Sequence, residues 1–256
     1  MSLKKIKLFS AVLLSVSGIV IANSMAIADN QKSIQWGYTG HNSPENWGSL
    51  SPSYQMCDIG KNQSPINITT SVDANLPSIK FNYKTLSTEI LNKGQTVQVN
   101  VESGSSIVVD GVTYALKQYH FHTPSENHIA GKSFPLEAHF VHADAKGNLA
   151  VIAVMFAEGK ANSQLAELWQ KMPMKAGENS VLKGDVKNLH SLLPQNQEYY
   201  RFNGSLTTPP CSEGVKWMVM KEPLTVSKEQ VEKFSLAVNG TNNRPVQPQN
   251  ARIIIR

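Results

Sequence analysis

Cysteine is scarce: Cys57 and Cys211 are the only two in 256 residues. Their separation excludes a C-x-x-C redox motif and a zinc knuckle, both of which need closely spaced thiols. Runs of lysine and arginine with interleaved aromatics are also missing, so the composition gives no reason to expect nucleic acid as a partner. No stretch recurs with a period of 20 to 50 residues, which argues against a solenoid or propeller. No low-complexity linker divides the chain beyond its first 28 residues, and a single domain is expected there. The apolar run from Leu8 to Ala22 is only about 15 residues, short of the roughly 20 that a spanning helix needs.

That short run instead has the marks of a targeting signal. Lys4, Lys5 and Lys7 precede it, and Ala26-Ile27-Ala28 supplies an A-x-A cleavage site, so residues 1–28 are expected to be removed. The mature chain would begin near Asp29 and be exported, either periplasmic or secreted, with no stable membrane anchor after cleavage. No cysteine follows the apolar run, which argues against lipid attachment. Losing three lysines and no acid lowers the formal charge from +5 to +2, so part of the basic pI of 9.1 belongs to the signal. In an oxidising compartment the expected state of Cys57 and Cys211 is a disulfide, two buried free thiols being the alternative. A bridge would close a loop of about 155 residues, for which chain entropy gives roughly 5 kcal/mol as an upper figure.

Alternation dominates the middle of the chain. "TVQVNV" (Thr96 to Val101) alternates polar and apolar as a half-buried strand does. "SIVVDGVTYAL" sets Asp110-Gly111 between two apolar runs, the strongest short hairpin signal. "FPLEAHFVHAD" and "LAVIAVMFAEG" flank the turn-like "AKGN" and predict another antiparallel pair. Two helices are expected against this background. Leu165, Leu168, Trp169 and Met172 follow Ser163 at helical spacing and stop at Pro173, and Ser227 with Gln230 forms a capping box before Val231 and Phe234. The expected fold is mainly β (α+β): a single domain with a large twisted, mostly antiparallel central sheet and peripheral short helices.

The stretch "QYHFHTPSENH" (Gln118 to His128) holds three of the seven histidines. On a strand, His120 and His122 project to the same side and Phe121 to the other, which gives two legs of a metal site. His139, in "EAHFVH" on the next expected strand, is the third. His142 competes for that place, but a spacing of three reverses the face. Glu137, two residues before His139, decides for His139, because its carboxylate is placed to hold the far ring nitrogen. Gln118 stands in the same relation to His120. Three neutral imidazoles suit Zn²⁺ and leave a fourth position open for water, the pattern of a catalytic site. An ester, a phosphate and carbon dioxide all remain open as the electrophile.

Six stretches now converge on one family. "WGYTGHNSPENW", "QSPINI", "QYHFHTPSENH", "EAHFVH", "YYRFNGSLTTPPCSEGVKW" and "NNRPVQP", in this order and across nearly the whole mature chain, closely resemble the exported bacterial branch of the α-class carbonic anhydrases. The resemblance implies a zinc enzyme that interconverts carbon dioxide and bicarbonate through a zinc-bound hydroxide. It implies His120, His122 and His139 as ligands, with Gln118 and Glu137 behind them. Thr207 would give its proton to the buried Glu126 and accept from the nucleophile; from the residues alone, Glu126 would pass for a fourth ligand. The carbon dioxide pocket would be Val141, Val151, Leu206, Val215 and Trp217, with Thr208 bordering the bicarbonate region. Cys57 and Cys211 match the disulfide of exported members, and Trp36, Tyr38 and Arg244 match residues that organise the cavity.

One departure stands out. Where many fast members carry a proton-ferrying histidine, "LNKGQTVQV" has Gln95, which cannot titrate. His41 and Lys93 are candidate substitutes, each better explained as a solvated surface group. Proton release is therefore expected to limit turnover, at roughly 10³ s⁻¹ without buffer assistance. A monomeric domain is expected, with a homodimer left open. Two rivals compete with the enzyme. A cupin would use His120, His122 and Glu126 but lacks its second motif here. A catalytically silent binding module on the same scaffold would typically lose a zinc histidine, and none is lost. Esterase activity is expected only as a side reaction.

Overall fold

The structure is a computed structural model that describes residues 35–84, 86–182 and 188–256. The expected signal segment therefore lies outside the described residues. In chain order the strands are β1 (Asn67–Ile68), β2 (Lys80–Asn82), β3 (Ser87–Asn92), β4 (Val97–Val101), β5 (Ser106–Val109), β6 (Val112–His122), β7 (His128–Ile129), β8 (Leu136–Ala143), β9 (Leu149–Glu158), β10 (Asn179–Val181), β11 (Tyr199–Ser205), β12 (Glu213–Met220) and β13 (Leu224–Val226). The helices are α1 (Trp47–Leu50), α2 (Met56–Ile59), α3 (Ser163–Lys171) and α4 (Lys228–Ala237).

Eleven of the strands form one open sheet along the order β10-β3-β4-β6-β8-β9-β12-β11, with β5, β2 and β13 attached beside that path. Its pairs are antiparallel except β12 and β13, which both run parallel to β9. The expected mainly β, mostly antiparallel fold is what the chain adopts. The β5–β6 hairpin turns at Asp110 (φ 51°) and Gly111 (φ 76°), the left-handed pair that the Asp-Gly signal predicts. Strand β9 reads as a continuous apolar run because both its faces are buried: Ala150, Ile152, Val154 and Phe156 join one core layer, Val151, Ala153 and Met155 the other.

The larger layer lies between the sheet and its two longer helices. Phe121 meets Trp169 of α3 edge-on at 5.0 Å, and Trp169 stacks on Phe234 of α4. The expected capping box at Ser227 and Gln230 is present, and Gln230 also bonds both backbone groups of Asn162, tying the starts of α3 and α4 together. Asn162, rather than Ser163, caps α3, its side chain accepting from Gln164 and Leu165 N–H.

The other face of the sheet carries the chemistry, and one bulge decides which residues reach it. Tyr114 and Leu116 of β6 point into the larger core, and so do Tyr119 and Phe121, although strict alternation would put these two pairs on opposite faces. The register against β8 slips between Leu116 and Gln118, so Lys117 is the extra residue. Beyond it Gln118, His120 and His122 turn to the far side.

Candidate metal centre

Neighbouring strands assemble the three histidines. His120 of β6 lies directly across from His139 of β8, and His122 lies across from Glu137. Strand parity keeps Glu137, His139 and Val141 on the cavity face while Leu136, Ala138 and Phe140 fill the core. The rings of His120, His122 and His139 form a triangle with centroid separations of 5.0, 5.3 and 4.6 Å. One nitrogen from each lies within 4.8 Å of the others, the group among the described residues able to hold a metal ion.

The remaining nitrogen of each ring is tied to a fixed acceptor. His120 Nδ1 donates to Gln118 Oε1 at 2.9 Å, His122 Nδ1 to the Asn242 carbonyl at 2.7 Å, and His139 Nε2 to Glu137 Oε1 at 2.9 Å. These contacts set the tautomers and aim three lone pairs, on His120 Nε2, His122 Nε2 and His139 Nδ1, at a common point. His122 Nε2 is buried with no hydrogen-bond partner, which is costly for a polar atom and fits a site built for a cation. Burial is the leading cause that holds all three rings below the usual histidine pKa, in the neutral form that binds metal.

Both expected partners, Gln118 and Glu137, stand where parity placed them. Asn242 was not foreseen. It lies 120 residues from His122 in a loop, where its carbonyl holds that ring, its Oδ1 accepts from Thr123 N–H, and its Nδ2 donates to the carbonyls of Gln95 and Phe121. Glu137 is held in turn by the N–H groups of Glu126 and Asn127 and by the Asn127 side chain, at 2.6 to 2.9 Å. Burial raises its pKa and the Asn127 donors oppose that rise. His142 points into the core, where it stacks on Tyr83 and its Nε2 lies 3.0 Å from the Tyr83 hydroxyl.

Glu126 sits beneath the triangle, fully buried. Its Oε1 accepts from Arg244 N–H at 2.8 Å; its Oε2 lies 3.5 Å from His122 Nε2 and 3.9 Å from His139 Nδ1 and accepts no direct hydrogen bond. Burial pushes this carboxyl well above its usual range, and the Arg244 N–H and the Thr207 hydroxyl pull against that rise. A cation on the three rings would pull it further down. Val151, Val215 and Trp217 form a buried apolar layer with Val141 and Leu206 at its margin, and Trp217 meets His139 edge-on at 4.9 Å. A cavity of about 160 Å³ opens over the histidines, with Trp36, Tyr38, Lys93, Gln95 and Thr208 in its wall. Arg244, whose backbone N–H holds Glu126, donates through its guanidinium to Gln63 Oε1 and to the carbonyls of Ser64 and Cys57. Cys57 and Cys211 are joined in a disulfide.

Comparison with known proteins agrees with this geometry. The sequence model of the eukaryotic-type carbonic anhydrases matches residues 42–256. The chain belongs to the α-class carbonic anhydrases. It is 49% identical over 238 residues to a carbonic anhydrase of Neisseria gonorrhoeae, covering 93% of this chain and 94% of that one. The α-carbonic anhydrase of Thermovibrio ammonificans, solved with sulfanilamide, superposes with a TM-score of 0.85 at 48% identity over 87% of this chain and 99% of the other. A hyperthermostable carbonic anhydrase from a hydrothermal vent chimney does so with a TM-score of 0.84 at 53% identity, over 86% and 99%. As a carbonic anhydrase the protein acts on carbon dioxide and bicarbonate, with a three-histidine group able to bind a metal.

Proposed function

We propose that His120 Nε2, His122 Nε2 and His139 Nδ1 hold Zn²⁺ and that the protein hydrates carbon dioxide reversibly at this centre. The observation that carries the reading is the set of three lone pairs turned to one point by Gln118, Asn242 and Glu137. When bound, zinc supplies a hydroxide nucleophile near neutral pH by lowering the pKa of its water to about 7, the figure established for carbonic anhydrase itself rather than one derived for this chain. Thr207 donates its hydroxyl proton to Glu126, which leaves its oxygen to accept and so orients an O–H nucleophile. Carbon dioxide is apolar, and Val141, Val151, Leu206, Val215 and Trp217 provide a wall that excludes competing water. Thr208 borders the region that bicarbonate occupies. Release of residues 1–28 and export of the remainder belong to the same proposal, supported by the signal pattern and the disulfide.

Gln95 carries the proton-release part of the reading. It stands in the cavity wall, its Nε2 donating to the Trp36 carbonyl at 3.1 Å, and it has no titratable group to pass a proton outward. Stopped-flow hydration by the zinc-loaded protein across a buffer series tests both parts. Activity that disappears on zinc removal and climbs with buffer is expected, as is faster turnover of Gln95→His at low buffer. Fast, buffer-independent turnover would refute the proton-release limit, and no hydration with zinc bound would refute the enzymatic centre.

A further inference from the structure

Lys93 stands apart among the residues around the cavity. With the histidines neutral, it is the only formally charged side chain in the wall among the described residues, none of which brings a carboxylate to the cavity lining. A space of about 160 Å³ is about 7 Å across if taken as a sphere, less than the ~8–10 Å over which salt screens charge.

The turn that carries Lys93 is built to stay in place. Asn92 is buried at the end of β3, donates to the carbonyls of Pro173 and Ala237, and accepts from Gly94 N–H through its side chain. Lys93 N–H closes the turn onto Thr96 O at 2.8 Å, and Gly94 takes the left-handed conformation (φ 83°) that the tight turn needs. The Lys93 ammonium leans toward Gln98 Oε1 at 3.4 Å, and Gln98 lies directly across from His120. An exposed ammonium, carried on a braced turn, thus stands in the wall of a cavity whose other described lining residues bear no formal charge while the histidines are neutral.

We infer that Lys93 is an anion-attracting residue that raises the affinity of the centre for bicarbonate. This rests on the carbonic anhydrase centre proposed above. Carbon dioxide is uncharged and bicarbonate is an anion, so a positive charge in the cavity wall acts on one reactant and not on the other. The inference is tested on the zinc-loaded protein by bicarbonate inhibition of hydration, and on the cobalt-substituted protein by a visible-absorption titration with thiocyanate, an inert monoanion. Both constants should weaken about fivefold in Lys93→Gln at low ionic strength, weaken further in Lys93→Glu and stay near wild type in Lys93→Arg. The differences should shrink as a bulky organic salt is raised toward about 0.5 M, where the Debye length is a little under half its value at 0.1 M. A merely structural role would follow neither the charge order nor the salt dependence. Equal constants across the four proteins, with hydration intact in the wild type, overturn the role of Lys93. Absence of hydration in the zinc-loaded wild type overturns the centre itself.

Discussion

At the scale of single residues, the far nitrogen of each ring in the histidine triangle has a fixed acceptor, while His122 Nε2 and Glu126 Oε2 are buried without a hydrogen-bond partner where the three rings converge. Gln118 and Glu137 were legible because strand parity is a local rule: a residue two positions before a ligand shares its face. Asn242 and Asn127 were not legible, since each reaches the site from a loop and no period links it to the strand it serves. His142 shows the same parity from the other side. Burial lowers its pKa to about 3, while an unfolded histidine titrates near 6.5. A depressed histidine contributes stability that is complete above pH 6.5 and is lost as pH falls from there toward 3, at about 1.4 kcal/mol per pH unit. His142→Gln keeps an acceptor for the Tyr83 hydroxyl and does not titrate. Its urea-derived stability should therefore fall less steeply than the wild type's between pH 6 and pH 4, and parallel profiles would show that His142 takes no part.

At the scale of elements, the hairpin at Asp110-Gly111, the β8–β9 pair and the two longer helices all follow from short-range signals, and all are present. The bulge at Lys117 was hidden, because the apolar residues on either side of it alternate well within each half of β6 and the break in phase leaves no mark of its own. The short helices α1 and α2 carry too little periodicity to be read. A second irregularity lies between Gly204 and Ser205 of β11, where the register against β12 shifts. A Cβ on Gly204 would collide with Ser64 Oγ and come within 2.9 Å of Trp217 Cδ1, and Ser64 is itself fixed by bonds to Ser205. Trp217 is buried and donates to the Ser205 carbonyl, so neither neighbour can yield freely. Gly204→Ala should lose about 1–3 kcal/mol in chemical denaturation and disturb the apolar wall beside His139. An unchanged midpoint would mean that the strand edge relaxes at no cost.

At the scale of the whole molecule, the disulfide is one part of a wider clasp. It links residues 154 apart, between the helical segment that holds Cys57 and the loop that follows Thr207 and Thr208. The same two segments are joined by Gln63 Nε2 to the Cys211 carbonyl at 3.0 Å, by Glu213 to the backbone of Asn62 at 2.6 Å, and by Ser64 N–H to Ser205 Oγ at 2.9 Å. The Cys211 N–H closes onto the Thr208 carbonyl, so the loop also braces itself. Covalent and polar closures act on different states: the disulfide restricts the unfolded chain, and the hydrogen bonds hold the native loop. Replacing both cysteines by serine should therefore lower the denaturation midpoint, by at most about 5 kcal/mol of stability, while the folded variant keeps one zinc per chain at 25 °C. Urea unfolding with metal analysis of the folded fraction checks this. A folded double variant that has lost its zinc would show that the bridge, and not the hydrogen-bonded clasp, keeps the centre assembled.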